Sequence, residues 1–378
     1  MKRRTEVRID LGALKRNYVK IARRVAPAEV LCVLKANAYG LGVGAYAKAL
    51  VSAGCRAFGV ADPEEALELV GILGDSGCAG VSVQILSSIL PDEIEPMVAA
   101  GVTLPVVDLE AAEQISAAAV KLGRTARVHF KIDSGMGRLG ICAAEAAGTI
   151  EAARRLPNLD CEGIFSHCAM AYDLKDPFTQ EQISVFRNLL SELEARGISF
   201  AKVHIAASDA VNNFPETARA PFTMVRTGIN LHGSFDPNGI KALELESVLS
   251  LVTRVAQVRT LPAGTTIGYG RTWCLSRPAK VAIISAGYAD GLPLALTNRG
   301  FVFIGGRRCR ILGRISMDYT SVDVTDVPDV KSGDEVICFG KCGGDSITPD
   351  DWAEIKGTHS YDIICSLGRR VCRVVTGG

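Results

Sequence analysis

The residues best placed to do chemistry begin with one lysine. The apolar run Val30-Leu31-Cys32-Val33-Leu34 leads straight into Lys35, and Ala36-Asn37-Ala38-Tyr39-Gly40 follows. This order predicts a buried strand that delivers an amine at its C-terminal tip, with a tight turn beyond. Desolvation disfavours an ammonium, and a neutral amine can attack an aldehyde to form a Schiff base. The position also suits a surface lysine whose stem lies along apolar surface while its charge stays in water. Polar residues recur at the ends of later apolar runs. Lys131 closes the fifth, with Arg138 in the following loop; His167 closes the sixth, Ser208 follows the seventh, and Arg226 closes the eighth. Each alone fits ordinary loop polarity. Together they would ring one mouth of a parallel barrel, where the strand C-termini carry the chemistry. The loops after the seventh and eighth runs offer the Ser208 hydroxyl and the Thr227-Gly228-Ile229 turn, which suit a phosphate dianion. Gly228 is also compatible with a plain turn.

The elements that must hold these residues can be read from apolar runs alternating with amphipathic segments. Candidate strands are Val30–Leu34, Ala57–Val60, Val81–Leu86, Val102–Val107, Arg127–Ile132, Cys161–Ser166, Lys202–Ala206 and Thr223–Thr227. Helical patterns lie between them, such as Pro63–Val70 and Phe178–Arg196. Asp62-Pro63-Glu64-Glu65 is a helix start, with a cap, a proline at the first position and acids in the first turn. Eight such strands alternating with helices predict an α/β fold, an N-terminal (β/α)8 TIM barrel. The turn-rich stretch Asp236-Pro237-Asn238-Gly239 marks a break. Beyond it, closely spaced runs (Val248–Leu261, Ala279–Ser285, Gly300–Ile304, Ser321–Val324, Glu335–Phe339) predict a mostly antiparallel β-domain. Helical periodicity there is confined to a short stretch near Pro349–Ile355. The expected division is residues 7–239 for the barrel and 240–378 for the β-domain, with residues 1–6 left to pack with the latter.

Composition narrows the function classes. The 378 residues suffice for a large core and two domains. A net charge of +1, without a basic run interleaved with aromatics, gives no footprint for nucleic acid. No run reaches the roughly 18 apolar residues of a membrane span, and the basic start Met1–Glu6 is not followed by a signal-like apolar stretch. The 12 cysteines are scattered, and Cys338 and Cys342 lack the further ligands that a zinc site needs. Reduced thiols in a cytoplasmic protein, with no metal, are the expectation.

Lys35-Ala36-Asn37-Ala38-Tyr39-Gly40 closely resembles the cofactor-lysine motif of alanine racemases, enzymes dependent on pyridoxal 5'-phosphate. Four further segments match that family in order: Lys131–Gly140, Gly268–Thr272, Gly287–Gly291 and Gly313–Asp318. They span nearly the whole chain. The resemblance implies racemisation of L- and D-alanine by two bases, Lys35 on one face of the substrate and Tyr269 on the other. It assigns Tyr39, Ser208, Gly228, Ile229 and Tyr361 to the cofactor phosphate, with Tyr361 in the less common wording Thr358-His359-Ser360. Arg226 would face the pyridine nitrogen and keep it unprotonated, which limits side reactions such as transamination. A phenol ordinarily titrates near about pH 10, so Tyr269 would need cationic neighbours, for which the family implies His167 and Arg226. Arg138 would hold the substrate carboxylate, positioned by Lys131, which family members often carry carbamylated. Met317, through its backbone N–H, together with Tyr288 and Asp318, would come from the partner subunit of a homodimer with shared active sites. D-alanine for peptidoglycan is the implied product use.

Departures from the family wording are Leu41, Ala207 before Ser208, His232, and the insertion-like Asp209–Asn213. Other readings remain on the same scaffold: a racemase for serine or a larger amino acid, a fold-type-III decarboxylase, which Arg226 argues against, and a non-catalytic pyridoxal-phosphate carrier, which typically lacks the second domain.

Overall fold

A computed structural model describes residues 3–78, 80–236 and 239–377. Pro237 and Asn238, in the expected break, lie outside the described residues, as do Met1 and Lys2. The chain divides into two compact units, one of residues 15–231 and 238–245 and one of residues 1–14, 232–237 and 246–378.

The first unit is a parallel barrel. Its strands are β1 (Glu29–Val33), β2 (Ala57–Val60), β3 (Ser82–Ile85), β4 (Leu104–Val106), β5 (Ala126–Asp133), β6 (Leu159–Phe165), β7 (Lys202–His204) and β8 (Met224–Thr227). All pairings among them are parallel, in the orders β8-β1-β2-β3 and β4-β5-β6-β7. A parallel bridge between Gln84 and Thr103 joins β3 to β4. The Thr223 N–H donates to the Val203 carbonyl at 2.9 Å and the Arg226 N–H to the Ala206 carbonyl at 3.1 Å, which joins β7 to β8 and closes the ring. Every run read as a barrel strand is a strand. The reason is local: short apolar runs are separated by amphipathic helices, two of them started by the aspartate caps Asp62 and Asp108. The helix Pro63–Asp75 shows the cap chemistry directly, with Asp62 accepting from the Glu64 N–H and Glu65 reaching back in a capping box. Leu31, Val33, Ala57 and Met224 pack as one buried cluster.

The second unit is built on a nine-stranded sheet. The strand Leu249–Leu261 runs through its middle and changes partner between Val252 and Val255, with an irregularity between Val255 and Gln257 inside its second pairing. One half pairs with Glu6–Asp10, the other with Ala279–Ile284. The strands Phe301–Ile304, Arg307–Leu312, Thr320–Asp323 and Glu335–Cys342 continue the antiparallel pattern. The first two form a hairpin whose Gly305-Gly306 turn takes φ of 57° and 78°, the twist that two-residue hairpins favour. Among the described residues Glu6–Asp10 and Cys372–Thr376 form the one parallel pair of this sheet. Two helices lie here rather than one, Pro349–Lys356 and Ser360–Cys365. The second, six residues long, is too short to show a helical period. Among the described residues no helix is long and apolar enough to cross a membrane, and all twelve cysteines are free thiols.

Candidate active site

Lys35 follows β1 as expected, but what comes next is not a simple turn. Ala36, Asn37, Ala38 and Tyr39 all adopt left-handed backbone, with φ between 51° and 60°. Left-handed geometry costs an L-residue roughly 1–2 kcal/mol, so four in succession need firm support. The Asn37 carbonyl accepts from the N–H groups of Leu41 and Gly42, both at 3.0 Å. The Asn37 side chain accepts from the Val43 N–H at 2.8 Å, and Glu65 Oε1 accepts from the Asn37 N–H at 3.2 Å. Of these residues only Asn37 is of a type that visits this region readily; Ala36 and Ala38 at least avoid the added clash of a branched or bulky side chain. The turn buries Tyr39. A methyl group built at Gly228 would overlap the Tyr39 hydroxyl and sit 3.2 Å from its Cζ. Gly228 also donates its N–H to Ser208 Oγ at 3.0 Å. Tyr39, Ser208 and Gly228 therefore meet, with buried Ile229 next in the chain. Leu41 is buried, and the unusual Asp209–Asn213 wording folds into a short helix, Ser208–Asn213.

A cationic cluster shares this barrel. Burial holds His167 well below the usual imidazole range, and the charges of Arg226, Arg138, Lys131 and Lys35 add to the effect. Burial, then the same kind of cationic neighbours, pulls Lys131 down to about 8. Its Nζ donates to the Leu86 carbonyl at 2.5 Å and lies 5.5 Å from the Phe165 ring centre. Asp133 shapes the loop that carries Arg138. Burial opposes its ionisation, but the N–H groups of Gly135, Gly137, Arg138 and Met136 together hold its pKa below the usual carboxylate value. Arg226 is buried in β8. Its Nη2 donates to the Ser166 and Ile205 carbonyls at 2.7 and 2.9 Å and to His167 Nδ1 at 3.2 Å, and its Nη1 donates to His204 Nδ1 at 2.6 Å. Its Nε–H makes no hydrogen bond among the described residues. Burial lowers Arg226 to about 10, which leaves it charged at neutral pH.

Tyr269, Tyr288, Met317, Asp318 and Tyr361 belong to the other compact unit. Tyr269 stands 72% exposed on a turn in which Gly268, Gly270 and Arg271 all have positive φ. Gly268 and Tyr269 bridge to Arg314, so the motifs Gly268–Thr272 and Gly313–Asp318 lie side by side. A Cβ at Gly287 would overlap the Ser316 and Met317 carbonyls. The N–H groups of Tyr288 and Ala289 donate to those two carbonyls at 3.0 and 3.1 Å. Arg370 staples the same loops: Nε and Nη2 pair with buried Asp290 at 2.8 and 2.9 Å, and Nη1 with Asp318 at 2.7 Å. Tyr361 lies edge-on to His359 at the start of its helix. The sequence reading missed Asp133, His204 and Arg370. Only Asp133, inside the Lys131–Gly140 motif, carried a local signal, an acid two residues before a glycine-rich loop.

A parallel barrel with a lysine at its first strand end, followed along the chain by an antiparallel β-domain, is the scaffold expected of an amino-acid racemase or of a fold-type-III decarboxylase. Family models described as the N-terminal and C-terminal domains of alanine racemase match residues 9–236 and 248–375. Alanine racemase 2 of Caldanaerobacter subterraneus subsp. tengcongensis is 37% identical over 377 residues, covering 98% of this chain and 95% of that protein. The alanine racemase structure from D-cycloserine-producing Streptomyces lavendulae superposes with a TM-score of 0.90 at 33% identity, covering 100% of this chain and 98% of the other. That from Bartonella henselae, with covalently bound pyridoxal phosphate, gives 0.88 at 30% identity over 99% and 100%. The chain belongs to the alanine racemase family, and is thus an amino-acid racemase.

Proposed function

We propose that the protein interconverts L- and D-alanine with pyridoxal 5'-phosphate, by two bases drawn from two copies of the chain. The observation that carries this reading is the barrel's cluster of Lys35, Lys131, Arg138 and Arg226 beside the Tyr39, Ser208 and Gly228 cradle. The residues fit the cofactor. The cradle brings two hydroxyls to a glycine whose missing Cβ leaves room, with the Ile229 N–H beside it, which suits a phosphate dianion. The Arg226 Nε–H, without an acceptor among the described residues, is a donor for an unprotonated ring nitrogen. When bound, the cofactor supplies an electron-withdrawing ring that acidifies the substrate's α-carbon hydrogen.

The chain's own groups would do the rest. Lys35 Nζ holds the cofactor and takes or returns the α-proton on one face; the partner's Tyr269 Oη serves the other. Arg138 binds the substrate carboxylate, opposite the backbone N–H of Met317 from the second copy. Lys131 positions Arg138, as a carbamate in the loaded enzyme. His167, accepting from Arg226, lies among the cations that would favour a phenolate. Tyr361 would complete the phosphate contacts, while Tyr288 and Asp318 would line the entrance. The exposure of Tyr269, Tyr288 and Met317 in one chain supports cover by a second. The proposed setting is the cytoplasm, with D-alanine feeding peptidoglycan.

The test is purified protein with pyridoxal phosphate and L-alanine in D2O. Loss of optical rotation with α-deuterium in both enantiomers is expected. Carbon dioxide release would make it a decarboxylase, and neither outcome a carrier.

A further inference from the structure

Arg226 is the inner end of a hydrogen-bonded line that links strands β8, β7, β5 and β6. Its Nη1 meets His204 Nδ1 at 2.6 Å. His204 Nε2 meets His129 Nδ1 at 3.1 Å, and His129 Nε2 meets Glu162 Oε2 at 3.1 Å. Both rings are buried, whereas the Glu162 side chain is 26% exposed. We propose that Glu162 and His129 are remote positioning residues for the reaction: by fixing where the protons of two histidines reside, they aim the Arg226 guanidinium at the cofactor ring.

The polarity of the line follows from its ends. A guanidinium only donates, so His204 Nδ1 must accept and its proton must be on Nε2. That proton requires an acceptor at His129 Nδ1, which puts the His129 proton on Nε2, facing a carboxylate that only accepts. Each junction satisfies the next. Burial keeps both histidines neutral, against the pull of Glu162 on His129, while Lys202 and Arg127 add positive charge nearby. The hydrogen bond from His129 keeps Glu162 ionised. Remove the outer acceptor and the buried His129 Nε2–H is left unpaired, so that Arg226 alone opposes the reversed tautomers, which would set an N–H of His204 against an N–H of Arg226. The rings are also held by shape. His204 stacks on Phe165 at 4.9 Å, and a Cβ at Gly163 would lie 2.6–2.7 Å from three atoms of the His129 ring. Glu162-Gly163 thus supplies both the acceptor and the clearance.

This inference rests on the proposed role of Arg226 toward the cofactor, but its test starts in cofactor-free protein. The chain has five histidines, so [15N]histidine two-bond correlation spectra can be assigned by single substitutions. His129 and His204 should each carry one proton, on Nε2. Glu162→Leu should mix their tautomers, and Gly163→Ala should do the same by displacing the ring. In loaded enzyme Glu162→Leu should lower kcat about tenfold with little change in KM. Glu162→Gln, whose amide oxygen still accepts, should keep the tautomers and recover most of that loss. A proton on Nδ1 of either ring in the wild type would overturn the proposal, as would unchanged kcat in a variant with mixed tautomers. The Nε2 pair, lost in Glu162→Leu, in a protein that does not racemise alanine would uphold the relay and reject the activity.

Discussion

Gly228→Ala probes the phosphate cradle more sharply than removing any of its polar groups. Gly228 does not need a left-handed backbone, so the added methyl would act through space alone. It would overlap the Tyr39 hydroxyl and crowd Cζ at 3.2 Å and Val33 Cβ at 3.5 Å. Tyr39 would have to retreat by on the order of 1 Å to restore ordinary contact. It cannot do so cheaply, because it is buried and its backbone is the last residue of the left-handed run. Overpacking of this kind costs about 1–3 kcal/mol of stability. The displaced hydroxyl would lose one charge-assisted hydrogen bond, worth about 1.5–3 kcal/mol, or roughly 10- to 150-fold in cofactor affinity. Tyr39→Phe should lose similar affinity without the strain. In Gly228→Ala/Tyr39→Phe the hydroxyl that clashed is gone. The double variant should therefore recover most of the stability lost by Gly228→Ala, while its affinity should fall no further than that of Tyr39→Phe alone. Urea denaturation of cofactor-free protein and absorbance titration with pyridoxal phosphate read the two quantities separately. Additive losses in both would refute the reasoning, since they would mean that the methyl and the hydroxyl do not meet.

Other expectations concern single groups. Tyr269→Phe should bind the cofactor normally, because the residue is exposed and outside the barrel unit, while racemisation falls on the order of 10²-fold if the phenol is the second base. Lys131 is held near 8 in the folded barrel, below its value in an unfolded chain. Between about pH 8 and 10 the unfolded chain then binds more protons at this residue, so stability from this group rises with pH, and Lys131→Met should remove that component from the denaturation profile. With a sizeable neutral fraction near pH 8, Lys131 should also show a carbamate signal in [13C]bicarbonate NMR that Lys131→Met lacks. Arg370→Met strips buried Asp290 of its guanidinium partner. A loss of about 1–3 kcal/mol is expected by denaturation, with KM for alanine rising as the Tyr288 and Met317 loops loosen.

The barrel was legible because its information is local. Apolar runs of strand length, the Asp62-Pro63 cap and the polar residues at strand ends each declare themselves within a few positions. What the sequence could not show depends on pairing across the fold. Nothing near Glu6–Asp10 says that its neighbours are Leu249–Leu261 and Cys372–Thr376. The left-handed run after Lys35 is invisible to propensity, since alanine ordinarily favours the right-handed helix. Glu65, which supports Asn37, lies in a different helix. His129 and His204 read as strand residues, and only the parallel alignment of β5, β6 and β7 makes them touch. Arg370 is unremarkable in Gly368-Arg369-Arg370 until two aspartates from separate motifs converge on it.

The placement of Glu6–Asp10 has a kinetic consequence. Glu6 aligns with Val252 on one side and Cys372 on the other, so this strand is synthesised long before either neighbour exists. The barrel can begin to assemble from contacts between successive units while the strand waits with both edges open. Contacts so distant along the chain are slow to form, and an unpaired edge is a template for association with other chains. The short strand alternates exposed-side Glu6, Arg8 and Asp10 with buried Val7 and Ile9, and those charges are the guard an orphan edge needs until the β-domain closes around it.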